Sequence, residues 1–195
     1  KPLDYQRKYQ PPGVEAYRWP SFFSLPVLLL MLITVLNDGT LISIAYDNAS
    51  PKLHPEQWNL WALFAVSSVL GAVACLSSIL LLYLCLNSWN PSGVFQLTGL
   101  GGLHYGQVTT ALFLKVAISD FLTLFSARAG EVWIWQSCPS WVLVCAASAS
   151  LIFSTGLAVG FPLTTFDGIQ VLGLGRRSPV LLALYIWLYC LFFLL

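Results

Sequence analysis

At 195 residues and 21.5 kDa the chain has the size of one soluble domain, yet 57% of it is apolar, 9% is charged and the mean hydropathy is +0.76. Soluble domains carry about 25% charged residues, and here Gln57 to Leu114 contains no Asp, Glu, Lys or Arg at all. A net charge of +1 supplies no field for gripping nucleic acid. These features exclude a soluble fold and point to an integral membrane protein.

Residues 1–20 (KPLDYQRKYQPPGVEAYRWP) are polar, aromatic and Pro-rich and read as an extended or surface-lying tail. The chain opens on Lys1 rather than Met, which reads as a processed chain or a piece of one, with no signal or transit peptide. Residues 21–195 then form the membrane domain. A spanning helix needs about 20 apolar residues, and five segments meet or approach that length: 22–45, 60–86, 103–125, 141–161 and 179–195. The fold class is therefore all-α, a membrane bundle of five transmembrane helices. Pro and Gly clusters mark most of the links, including Asn48–Pro55, Asn87–Gly102, Glu131–Pro139 and Phe166–Ser178. Most tryptophans fall near span ends, where an amphipathic ring is favoured.

Small residues recur every fourth position in the second span (Ser67, Gly71, Cys75) and the fourth (Ala146, Ser150, Ser154, Ala158), with Gly156 and Gly160 on another stripe. Such stripes let helices approach closely in lipid, so packing is their expected role. The five cysteines, Cys75, Cys85, Cys138, Cys145 and Cys190, lack CxxC spacing and read as packing residues. The string TGLGGLHYG (Thr98–Gly106) resembles a phosphate-binding loop only loosely, because its glycine spacing is wrong and a membrane helix precedes it. His54 and His104 lie in different loops without a carboxylate cluster. No cofactor or metal is expected. Asn48-Ala49-Ser50 has the sequon form, weakened by the following Pro51.

The ionisable residues inside spans carry the chemistry. Asp38 interrupts the first span in LITVLNDGTLISI, and a carboxylate near the bilayer centre costs about 2.5–3.5 kcal/mol on insertion scales. Asn37 and Thr40 offer adjacent hydrogen-bonding groups, and Gly39 permits unwinding around Asn37–Thr40 that would expose backbone carbonyls to an ion. Asp38, Asn37 and Thr40 are thus the proton-binding candidates; the alternative for Asp38 is a helix-to-helix hydrogen bond. In the third span Lys115 and Asp120 diverge by roughly 140° around the helix. An ion pair between them is not assured, and Lys115 either snorkels or meets a carboxylate on another helix. Lys115, Asp120 and Arg128 are read as structural charge anchors.

The strings around these charges resemble one family. SLPVLLLMLITVLNDGTLISIAYDN (Ser24–Asn48) is similar to the sixth transmembrane helix of P-type plasma-membrane proton ATPases, above all the version in trypanosomatids and some other protists and algae. LFLKVAISDFLTLFSAR (Leu112–Arg128) resembles helix eight, Pro55–Ser88 helix seven with its lead-in, and WLYC (Trp187–Cys190) helix ten. The resemblance covers most of the chain and implies that Asp38, the Asp of LNDGT, is the intramembrane proton acceptor of an ATP-driven pump. The family's DKTGT phosphorylation sequence, TGES actuator loop, nucleotide-binding domain and helices one to five have no counterpart in these residues. Charge bias also departs: Lys1, Arg7, Lys8, Arg18, Arg176 and Arg177 lie on one side, against Lys52 and Arg128 on the other. The positive-inside rule then puts the N-terminus in the cytosol, matrix or stroma, opposite to the pump.

Two expectations follow. The favoured one is a non-catalytic, pump-derived accessory subunit of a larger membrane complex, not an enzyme on its own. Its partners would be membrane lipids and other subunits, with the tail as docking arm and no nucleic acid, in a mitochondrial or plastid inner membrane rather than the plasma membrane. The alternative is the C-terminal membrane piece of an active proton-translocating ATPase, with Asp38 as the carrier.

Overall fold

The computed structural model describes residues 25–46, 59–88, 90, 92–97, 99–100, 102–129, 139–160, 164–166, 169–171, 173–174 and 179–194. The N-terminal tail, Asn48–Ser50, His54 and Cys138 fall outside these.

Helix α1 (Val27–Ser43) starts without a side-chain cap; the Pro26 carbonyl takes the amides of Leu29 and Leu30 instead. A 3-10 turn, Ile44–Tyr46, ends it. Asn59 caps α2 (Leu60–Leu86), its Oδ1 accepting from the Ala62 amide at 3.4 Å. A short α3 (Val94–Leu97) and a turn follow. Gly102 takes a φ of 83°, a left-handed conformation suited to glycine, and its amide bonds the Ser88 carbonyl. The Gly-rich string therefore reverses the chain against the end of α2. His104 then opens α4 (Tyr105–Ala129), its amide donating to Gln107 Oε1 in half of a capping box.

Helix α5 (Trp141–Gly160) leads into a minimal antiparallel hairpin, β1 (Thr164–Phe166) and β2 (Ile169–Val171), with Thr165 opposite Gln170. Helix α6 (Pro179–Leu194) follows. The hairpin corrects part of the expected Phe166–Ser178 loop, but helices alone build the bundle.

Helix α4 is the axis. It packs against α1, α2, α5 and α6, and nearly every residue from Tyr105 to Ser119 is buried. The core gathers Leu29 and Ile33 of α1, Leu81 and Cys85 of α2, Phe113 and Ile118 of α4, and Ile186 and Cys190 of α6. The outer helices keep apolar surfaces outward: Met31, Val35 and Ile42 on α1, Phe64 and Val69 on α2, Ile152 and Phe153 on α5. A water-soluble protein would bury these side chains; facing lipid they need no cover. Trp61 and Trp141, 87% and 80% exposed, stand at the starts of α2 and α5, where a headgroup-level ring is favoured.

Three expectations are corrected. Of the five spans expected, four helices among the described residues are long and apolar enough to cross a membrane: Val27–Tyr46, Leu60–Leu86, Tyr105–Ala127 and Trp141–Gly160. The 16 residues of α6 rise about 24 Å at 1.5 Å each, short of a hydrocarbon core of about 30 Å. Secondly, α1 runs unbroken through Asn37–Thr40. Gly39 continues the helix, and Thr40 Oγ1 spends its proton on the Leu36 carbonyl at 2.9 Å. Thirdly, only part of the small-residue stripes packs. Ser154 and Ala158 are buried, whereas Ser67, Gly71, Cys75, Gly156 and Gly160 face outward; nothing lies within 4 Å of a Cβ built on Gly71, Gly156 or Gly160.

The unbroken α1 has a direct test, since a Cβ on Gly39 also meets nothing within 4 Å. Gly39→Ala is expected to raise stability by about 0.5–1 kcal/mol, measured by denaturant unfolding in detergent micelles. A loss of stability would mean that the backbone there leaves the helical region.

Candidate functional site

Asn37 and Asp38 follow each other on α1, so their side chains point roughly 100° apart. Asn37 turns inward and is half-buried; Asp38 is exposed. Asn37 Nδ2 donates to Asp120 Oδ2 at 2.6 Å, bridging α1 to α4 across 83 residues of sequence. Thr40, one turn beyond Asn37, is buried; because its proton is given to Leu36, it accepts from Ser150 Oγ of α5 at 3.3 Å. Asn37, Thr40, Asp120 and Thr123 border a half-open cavity of about 270 Å³, lined on its apolar side by Leu41, Phe121 and Leu124.

Lys115 sits one and a half turns before Asp120 and goes the other way. It is 1% exposed. Its Nζ donates to the Ala74 carbonyl at 2.8 Å and to Ser78 Oγ at 2.6 Å, both on α2. Ser78 and Ser77 donate their own protons to the same carbonyl, and Tyr189 of α6 donates to the Ser77 carbonyl at 2.6 Å. Among the described residues Lys115 therefore meets no carboxylate, and it does not snorkel. It is solvated by a helix-backbone and a serine oxygen, which serve two of a lysine's three donors inside lipid.

Of the residues singled out from sequence, Asn37, Thr40 and Asp120 come together at the cavity. Asp38 is turned away from it on the open face of α1, and Lys115 is buried against α2. Arg128 lies in the last turn of α4, but its side chain is outside the described residues. Sequence reasoning missed Ser78, Thr123 and Tyr189 and read Ser150 only as a packing residue. Thr123 was signalled by its i+3 spacing from Asp120, whereas the other three are brought in by helix packing alone. Among the described residues no cluster of three His, Cys, Asp or Glu side chains could hold a metal ion.

This arrangement suits proton chemistry. An ionised Asp120 accepts from the Asn37 amide nitrogen; a protonated Asp120 donates to the amide oxygen after a flip of the amide. One neighbour thus satisfies either charge state.

No protein-family model matches the chain. Individual proteins do. It is 42% identical over 176 residues, 87% of its length, to Probable proton ATPase 1A of Leishmania donovani, and equally to Probable proton ATPase 1B. It is 27% identical over 161 residues, 83% of its length, to Plasma membrane ATPase 1 of Schizosaccharomyces pombe. The chain spans 18% of the length of the Leishmania relatives and 16% of the fission-yeast one. It is an integral membrane chain homologous to a segment of P-type proton ATPases. That similarity overturns the expectation of a non-catalytic accessory subunit standing outside an enzyme, because what the chain matches along most of its length is an ATPase polypeptide itself.

A double-mutant cycle over Asn37→Ala and Asp120→Ala should give a coupling energy of about 0.6–1.7 kcal/mol, the range for interhelical hydrogen bonds in lipid. The same cycle over Asp38 and Asp120 should give none, both read by unfolding in mixed micelles.

Proposed function

We propose that this chain forms part of the membrane domain of a proton-translocating P-type ATPase. The observation that carries the reading is the 42% identity to a protein named a probable proton ATPase, sustained over 87% of the chain. On this reading α1, α2, α4, α5 and α6 correspond to helices six to ten of the pump. Helix α6 serves as the fifth crossing by local thinning of the bilayer or by the help of adjoining residues, either of which costs fractions of a kcal/mol per Å.

Asp38 is the intramembrane proton carrier that the LNDGT string implies. Its exposure on α1 supports the role in one respect: the carboxylate is left to face further helices of the same pump, and the matched relatives are far longer than the matched stretch. The same open faces of α1 and α2 meet lipid and those helices, which together are the partners we propose. The fission-yeast relative's name carries the plasma membrane, and we carry that location to this chain in preference to an organelle inner membrane.

The test is ATP-driven acidification of inside-out vesicles bearing the full pump with Asp38→Asn. Transport should fall to background while the amount of inserted protein stays unchanged. Acidification at the unsubstituted rate would remove Asp38 from the proton path.

A further inference from the structure

We propose that Asp120 is a second proton-exchanging carboxylate, opening on the cavity between α1 and α4, with Asn37 as its positioning residue; the proposal rests on the pump reading and adds a site to it.

Three observations carry it. First, Asp120 is a half-buried carboxylate on the most deeply embedded helix of the bundle, where an ionisable group is costly and marks an ion path by default. Secondly, it borders a cavity of about 270 Å³ shared with Asn37 and two threonines, space enough for several waters at about 30 Å³ each. A proton can therefore arrive as hydronium, bind one carboxylate oxygen and leave water behind. Thirdly, the 2.6 Å bond to Asn37 comes from an amide rather than a cation. A fixed cation there would hold Asp120 ionised, whereas an amide accommodates release and uptake alike.

The surrounding charges agree. Among the described residues packed around the cavity, α1 presents Asn37 and Thr40, with Asp38 turned outward, and α5 presents Ser150. On α4 itself Lys115 is engaged by Ala74 and Ser78 of α2. Toward α6 the neighbours of that lysine are Tyr189, on the Ser77 carbonyl, and Cys190, whose Sγ approaches the Lys115 carbonyl at 3.8 Å. Asp120 is the carboxylate of this set that opens on the cavity.

The experiment is labelling of the intact protein that carries this chain, in lipid vesicles, with dicyclohexylcarbodiimide. This lipophilic reagent adds a protonated carboxyl across its N=C=N group: the acid proton goes to nitrogen, oxygen bonds to the central carbon, and rearrangement leaves a stable N-acylurea. Mass spectrometry of peptides locates the adduct over a series of pH values. Asp120 should be labelled, with a yield that falls as pH rises. Asn37→Leu should change the pH at which the yield falls, and Asn37→Gln should restore it. Asp120→Asn should lose the adduct, and Asp120→Glu, which keeps a carboxyl, should retain it. An unlabelled Asp120, or labelling indifferent to pH, would overturn the proposal even if Asp38 is labelled, leaving the pump reading intact. Labelling as expected in the intact protein that carries this chain, in vesicles that show no ATP-driven acidification, would sink the pump reading alone.

Discussion

In hydrocarbon a charged side chain has no bulk water to turn to, so an ionisable group buried within a membrane bundle draws its hydrogen-bond partners from another helix. Lys115 and Asp120 impose that requirement on α4 in two directions roughly 140° apart. Lys115 needs oxygen acceptors and finds the Ala74 carbonyl and Ser78 of α2; Asp120 needs a hydrogen-bond donor and finds Asn37 of α1. Those two contacts fix α2 and α1 on different sides of α4. The remaining helices complete the wrap, α6 through Tyr189 on the Ser77 carbonyl and α5 through Ser150 on Thr40. The bundle is in this sense organised from its polar interior outward.

That organisation divides the two residues at the heart of LNDGT. Asn37 belongs to the interior because Asp120 claims it, and the helical turn then points Asp38 about 100° away, onto the exposed face. An inward Asp38 would set two carboxylates beside one cavity, where like charges repel and one would stay protonated. The unbroken α1 is what enforces the split, since unwinding at Gly39 would free either side chain to turn.

Much of this was legible in the sequence. The four long spans follow from apolar runs, and the charge-free stretch from Gln57 to Leu114 left the bilayer as the solvent. The divergence of Lys115 and Asp120 follows from helical periodicity alone. What could not be read was which helices answer them, because Ser78 and Asn37 lie 37 and 83 residues away and are ordinary polar residues in their own segments. The unwinding expected at Asn37–Thr40 failed for a local reason: a glycine permits a break without compelling one, and in lipid an intact ladder is the cheapest way to satisfy the backbone. The stripes failed for a similar one. Ser67, Gly71 and Cys75 allow close approach, but they face outward, and among the described residues none packs against Gly71. The accessory-subunit reading leaned on missing catalytic strings and on charge bias, neither of which bears on what the spans themselves descend from.

Homology to proton ATPases and a polar interior built around a carboxylate and an amide are mutually consistent, since proton transport needs a group that can change charge within the membrane without unfolding it. The most direct check is gentle extraction from the native membrane, native-gel separation, and mass spectrometry of the band containing this chain. The account predicts peptides of this chain together with those of a polypeptide bearing the DKTGT phosphorylation sequence. Finding the chain in a respiratory, photosynthetic or other assembly lacking that sequence would contradict it.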